Sequence, residues 1–235
     1  MSAEAEAQPT PENERDDEEN LGISAGYTYL GQFIDHDLTF DPNSSLQRQN
    51  DPDGLTNFRT PRFDLDCVYG RGPDDQPYLY ADDGVHMLLG RPLTGNPADP
   101  NSRDVPRNTP NKGEPARALL GDPRNDENVI VSQLQATMLR FHNRMADMMA
   151  GLPFERIQRE VRFHYQWVVL HDFLPTIAGE QVVLDLLPQL TLDGERGGVP
   201  AFTPRLQFYK PQVESFIPVE FSVAAYRFGH SMVRP

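Results

Sequence analysis

The segment Gly31-Gln32-Phe33-Ile34-Asp35-His36-Asp37 brings an amide, two carboxylates and an imidazole within six positions. An imidazole can accept and return a proton near neutral pH, and carboxylates can hold a hard cation. On a helix successive residues turn by about 100°. Gln32, Asp35 and His36, at i, i+3 and i+4, then share one side while Asp37 points to a neighbouring one. One segment can therefore serve two sites. Taken alone, a histidine on a half-apolar helix is more often a hydrogen-bonded structural residue than a catalyst, and both readings stand at this point.

Three more segments carry groups that such a helix would need as partners. Thr60-Pro61-Arg62-Phe63-Asp64-Leu65-Asp66 offers alternating oxygen donors: the Thr60 hydroxyl, the Arg62 carbonyl, Asp64 and Asp66 would line one face of an extended loop. Ca²⁺ takes about six to eight oxygens; an isolated Asp-x-Asp is more often merely solvated. Gly121-Asp122-Pro123-Arg124-Asn125-Asp126-Glu127-Asn128 reads as a helix start, with Asp122 as N-cap and Pro123 at the first helical position. Arg124 and Glu127, at i and i+3, can share a face, which by itself suits a surface ion pair. Ala225-Tyr226-Arg227-Phe228-Gly229-His230-Ser231-Met232-Val233 places Arg227 about one helical turn before His230.

The elements that must position these groups are predominantly helical. A hydrophobic content of 38% with 22 prolines suits a mainly α protein with long ordered loops. Residues 41–62 and 70–118 read as loops, with a short apolar turn near Met87. Leu134, Met138, Phe141, Met145 and Met148/Met149 recur at three- and four-residue steps, predicting a helix over 128–150 whose methionines pack the core; His142 there reads as structural. A second helix is expected over 154–174, ended by Pro175. Its His164 and His171, seven apart, fit core or surface roles equally well. Residues 188–218 form another turn-rich connection before a last helix.

A net charge of −14 argues against nucleic acid and acidic membranes as partners. No apolar run approaches a membrane span, and residues 1–20 lack the hydrophobic core of a signal peptide, so a soluble chain of unassigned compartment is expected. Glu4, Glu6, Glu12, Glu14, Asp16, Asp17, Glu18 and Glu19 make residues 1–22 an acidic, solvated tail ahead of one domain over 23–235. Cys67 is the only cysteine, which excludes intrachain disulfides and reads as a small buried residue.

In this order, the four segments resemble the haem peroxidase superfamily of the animal myeloperoxidases and lactoperoxidases and their bacterial relatives. The resemblance runs from about Gly26 onward. It implies that His36 stands over a haem iron, with Gln32 and Arg124 beside it as catalytic partners, and that His230 ligates the iron from the other side. It further implies that Asp35 and Glu127 can esterify haem b, that Arg227 lies near the haem propionates, and that Asp37, Thr60, Arg62, Asp64 and Asp66 bind Ca²⁺. Family members that bond a methionine sulfur to the haem have that methionine just after the glutamate; here the position is Asn128, so no sulfonium link is expected.

The implied activity is reduction of hydrogen peroxide with oxidation of a halide, thiocyanate or small aromatic donor. Heterolysis of peroxide needs a base that takes one proton and gives it to the departing oxygen, a task for His36. A guanidinium stabilises the growing negative charge, a task for Arg124. A fatty-acid dioxygenase on the same scaffold would need a radical-forming tyrosine three residues before His230, where this chain has Arg227. His230 is followed by only five residues, whereas family members continue further. The expectation is therefore the N-terminal portion of a peroxidase domain with a missing C-terminal half, exported by family analogy, or a non-catalytic, calcium-stabilised interaction module derived from one.

Overall fold

The computed structural model describes residues 22–40, 59–95, 97–187, 217–218 and 221–226. Their regular structure is helical: α1 (Gly26–Leu38), α2 (Asp66–Tyr69), α3 (Val129–Met148), α4 (Phe154–Val168), α5 (Leu174–Ala178) and α6 (Glu180–Leu186), with 3₁₀ turns at Pro77–Leu79 and Pro123–Asp126 and π turns at Val169–Phe173 and Phe221–Ala225. Among the described residues β pairing is limited to isolated bridges, Tyr80 with Met87, Pro92 with Arg103 and Arg107 with Ala118. These pin the long 70–118 connection in place, and Met87 is buried in it, as its apolar turn predicts. No described helix is long and apolar enough to cross a membrane. The acidic opening residues and the 188–216 connection lie outside the described residues.

α1 is the central helix. Six consecutive residues, Phe33 to Leu38, are buried, so its second half is enclosed on every side, and Asp35, His36 and Asp37 must find partners there or pay for desolvation. α1 packs on α3, α2 and the Pro123–Asp126 turn, and α3 packs on α4. Tyr165 of α4 meets Phe33 edge-on with ring centres 6.2 Å apart.

α3 begins where the sequence predicts. Asn128 caps it, its Oδ1 accepting from the Ile130 and Val131 N–H groups at 3.1 and 2.9 Å. Its packing face differs from the expected stripe. Leu134, Met138, Phe141 and Met145 are partly buried flanks of the core, while Met148 is 67% exposed. The fully enclosed face runs through Val131, Gln135, Leu139, His142 and Ala146. His142 is structural, as expected: its Nε2 donates to the Val85 carbonyl (2.8 Å) and its Nδ1 meets the Tyr69 hydroxyl (3.0 Å).

Pro175 does not end the second helix. The path widens into the π turn Val169–Phe173 and resumes as α5, with Pro175 in its first turn. The π turn accommodates the missing N–H within a continuous helical path, and Gly179, at φ 94°, makes the actual stop. His164 and His171 face outward: their Nδ1 atoms bond the carbonyls of Glu160 and Trp167, and His171 stacks on Trp167 at 4.9 Å.

Candidate functional site

α1 presents polar groups to two different surroundings. On one face the His36 ring is held through Nδ1, 2.6 Å from Asn125 Oδ1. Asn125 in turn donates its amide to Gln135 Oε1 at 2.8 Å. Asn125 and Gln135 are fully buried and His36 is 4% exposed. Burial lowers the affinity of the imidazole for a second proton; the Asn125 bond opposes this and the Arg124 charge reinforces it. A buried imidazole that stays neutral can act as a base. Gln32, one turn earlier, accepts from Asn128 Nδ2 at 3.2 Å, so the residue that caps α3 also fixes Gln32.

Arg124 is anchored before it does anything else. Asp122 caps the 3₁₀ turn by accepting from the Arg124 N–H (2.9 Å) and clasps the guanidinium at Nε (3.0 Å) and Nη2 (2.7 Å). Arg59 donates to Asp122 Oδ2 at 3.0 Å, sharing that oxygen with Arg124 Nη2. Asp122 is fully buried, and the two cations hold its proton affinity below the usual carboxylate range against the pull of burial. The Phe40 ring lies beneath both guanidiniums, 4.9 Å from Arg59 and 5.3 Å from Arg124. Arg124 Nη2 also donates to the carbonyls of His36, at 3.3 Å, and Thr39. It thus reaches the main chain of His36 and acts on the ring through its charge. Glu127 caps the end of the same turn and is exposed to solvent. Asp35 is buried and accepts from the Thr39 hydroxyl at 3.0 Å.

On the other face of α1, Asp37 is fully buried and accepts from the backbone N–H groups of Leu65 (3.2 Å) and Cys67 (3.5 Å). It therefore caps α2, whose preceding residue Leu65 holds a left-handed φ of 60°. Burial first, and then the charge of Asp64, push the Asp37 carboxyl up to about 7. Asp66 is raised by the same two causes, against the partial relief of Arg59 and Arg162. Thr60 donates to Asp64 Oδ2 at 2.6 Å, and the Arg62 carbonyl accepts from the Asp64 N–H at 2.8 Å. Asp64 Oδ1 is buried without a hydrogen-bond partner. The three carboxylates feel one another's charge, yet no trio of His, Cys, Asp or Glu among the described residues is gathered closely enough to form a metal cage.

His230 and Arg227 lie outside the described residues. Tyr226 is described: its hydroxyl donates to the Gly31 carbonyl of α1 at 2.9 Å, tying the Phe221–Ala225 segment to the start of the His36 motif. Sequence reasoning missed Asn125, Gln135 and Arg59. A neutral amide has no spacing signature, and Arg59 stood in a loop with nothing to mark its partner. Glycine was the one available hint: a Cβ at Gly121 would lie 2.7 Å from Gly70 N and 2.8 Å from the Asp66 and Cys67 carbonyls. The Asp122 turn must therefore pass directly over α2.

The sequence pattern of the animal haem peroxidase family matches residues 43–235, a span that holds three of the four motifs and begins just after the fourth. Pig (Sus scrofa) thyroid peroxidase is 29% identical over 202 residues, covering 77% of this chain and 19% of that protein. A peroxidase-like protein of Margaritifera margaritifera is 32% identical over 124 residues, 48% of this chain and 14% of its own length. Chorion peroxidase of Aedes aegypti is 28% identical over 121 residues, again 48% and 14%. The chain spans about a fifth or less of the length of these relatives. With a family match over most of its residues and a mainly helical fold, this chain belongs to the animal haem peroxidase family.

Proposed function

We propose that the chain builds the peroxide-handling side of a haem peroxidase centre, with His36 as the proton-transfer base. Haem, when bound, supplies the redox chemistry by which hydrogen peroxide is reduced and a halide, thiocyanate or small aromatic donor is oxidised. His36 would take a proton from peroxide and return it to the departing oxygen. Arg124, fixed by Asp122 and the α1 carbonyls, would stabilise the charge on that oxygen without itself losing a proton. Gln32, steadied by Asn128, would orient small ligands. Asp35 and Glu127 are the carboxylates that would bond the haem covalently; His230 would ligate its iron and Arg227 would meet its propionates.

The observation that carries this reading is the buried His36 ring, kept neutral and held through one nitrogen, with the Arg124 guanidinium 3.3 Å from its own carbonyl. A structural histidine such as His142 has both ring nitrogens committed to protein groups. For His36 the described bond is at Nδ1 alone. Calcium binding at Asp37, Asp64 and Asp66, with Thr60 and the Arg62 carbonyl, is supported by the partnerless Asp64 oxygen and the raised proton affinity of Asp37; a hard cation would relieve both.

The test is peroxide-dependent oxidation of a small phenol by the haem-loaded chain and its His36→Leu variant. The expected loss is about 10²- to 10⁴-fold, the usual share of general acid–base catalysis. Equal turnover in both would overturn the assignment. A calcium-dependent gain in melting temperature without any haem binding would favour a non-catalytic module instead.

A further inference from the structure

We propose that Asn125 is the positioning residue of His36: its amide oxygen receives the Nδ1 proton, and Gln135 keeps that oxygen turned toward the ring. The inference rests on the reading of His36 as the base. Three elements converge on it: His36 from α1, Asn125 from the Pro123–Asp126 turn and Gln135 from α3. The bonds are 2.6 and 2.8 Å, and both amides are fully enclosed.

An amide side chain presents either an acceptor or a donor to its neighbour, depending on which way it is turned. Here the Asn125 nitrogen is committed away from the ring. It donates to Gln135 Oε1 at 2.8 Å. The oxygen is therefore left for His36, whose Nδ1 must then carry the proton. In the neutral ring this places the lone pair on Nε2, the nitrogen on the far side from Asn125. The competing arrangement turns both amides together: Gln135 would donate to Asn125 Oδ1, and Asn125 would donate to Nδ1, moving the ring proton to Nε2 and removing the base. Gln135 Nε2 is buried without a hydrogen-bond partner. In the observed arrangement that nitrogen has no bond, and in the turned one Gln135 Oε1 would lose its bond, so the ring's usable tautomer follows the orientation of a residue two bonds away, on α3.

Two-bond ¹H–¹⁵N correlation spectra of the ¹⁵N-labelled full chain at pH 8 read the tautomer directly, the His36 signals being assigned by their loss in His36→Gln. The expected spectrum shows His36 protonated on Nδ1 with an unprotonated Nε2. Gln135→Leu removes the acceptor that orients Asn125 and should mix the tautomers, lowering peroxide turnover by at least about tenfold. Gln135→Glu retains an acceptor oxygen and should keep both the tautomer and near wild-type turnover, which a merely space-filling role for Gln135 would not predict. A wild-type His36 protonated on Nε2, or the same tautomer in both Gln135 variants, would overturn the proposal; if Gln135→Leu does not fold, the wild-type spectrum decides alone. Should the tautomers behave as stated while His36→Leu retains full turnover, the positioning stands and the assignment of His36 as the base falls.

Discussion

Asp122 shows how a single buried carboxylate can organise its surroundings. It caps a 3₁₀ turn, clasps Arg124 and binds Arg59, all while fully buried. Removing one charge from a buried ion pair strands its partners at a cost of about 3–5 kcal/mol. Asp122→Asn is expected to lose stability on that scale in denaturant unfolding and to release Arg124 from the α1 carbonyls. His142 provides a pH signature. Burial holds its proton affinity below the ordinary histidine value in the folded chain, so the folded state disfavours the second proton that the unfolded chain accepts. The associated stability is complete above the ordinary histidine range and is lost as pH falls through the lower folded value. Unfolding free energies measured between pH 7.5 and 5 should fall more steeply for the wild type than for His142→Gln. The roles of Asp122 and Pro123 were readable because capping leaves a local pattern of residue types. The His36–Asn125–Gln135 chain was not, since it joins residues 89 and 10 positions apart through neutral amides.

Among the elements, α3 best shows what periodicity can and cannot supply. Its start at Asn128 and its length follow from the cap and the apolar steps, but its most enclosed face carries Gln135 and His142, which a hydrophobic pattern does not count. The break at Pro175 was misplaced for a related reason: proline forbids a bond rather than a direction, and a π turn followed by a fresh helical turn meets that restriction without ending the path. The close crossing of α2 by the 120s turn depends on Gly121. A methyl group there would press into the Gly70 nitrogen and the Asp66 and Cys67 carbonyls, all backbone atoms that cannot swing aside. Gly121→Ala is expected to cost about 1–3 kcal/mol and, by lifting Asp122 off α2, to weaken the Arg59 bridge. Thermal unfolding would measure the first effect and susceptibility of the Arg59 loop to proteolysis the second.

For the molecule as a whole, α1 joins two polar clusters at adjacent residues, His36 facing the amide chain and Asp37 facing the carboxylate loop. Ca²⁺ is expected to raise the melting temperature of the chain. Asp64→Asn should abolish that response while raising the melting temperature in the absence of calcium, because Asp64 is the largest charge acting against both Asp37 and Asp66. An unchanged calcium response in this variant would remove the loop from the site. The mainly helical architecture and family membership were legible from four short motifs in order; how those motifs touch was not, because their contacts run through neutral amides and backbone groups that carry no spacing signature. The central claim is that the chain forms a haem peroxidase centre, and it is tested most directly by absorption spectroscopy during haem titration with calcium present, comparing wild type with His230→Ala. The account predicts a saturable Soret band that is lost in His230→Ala and responds to hydrogen peroxide in the wild type. No saturable band in the wild type, or an identical band in the variant, would contradict it.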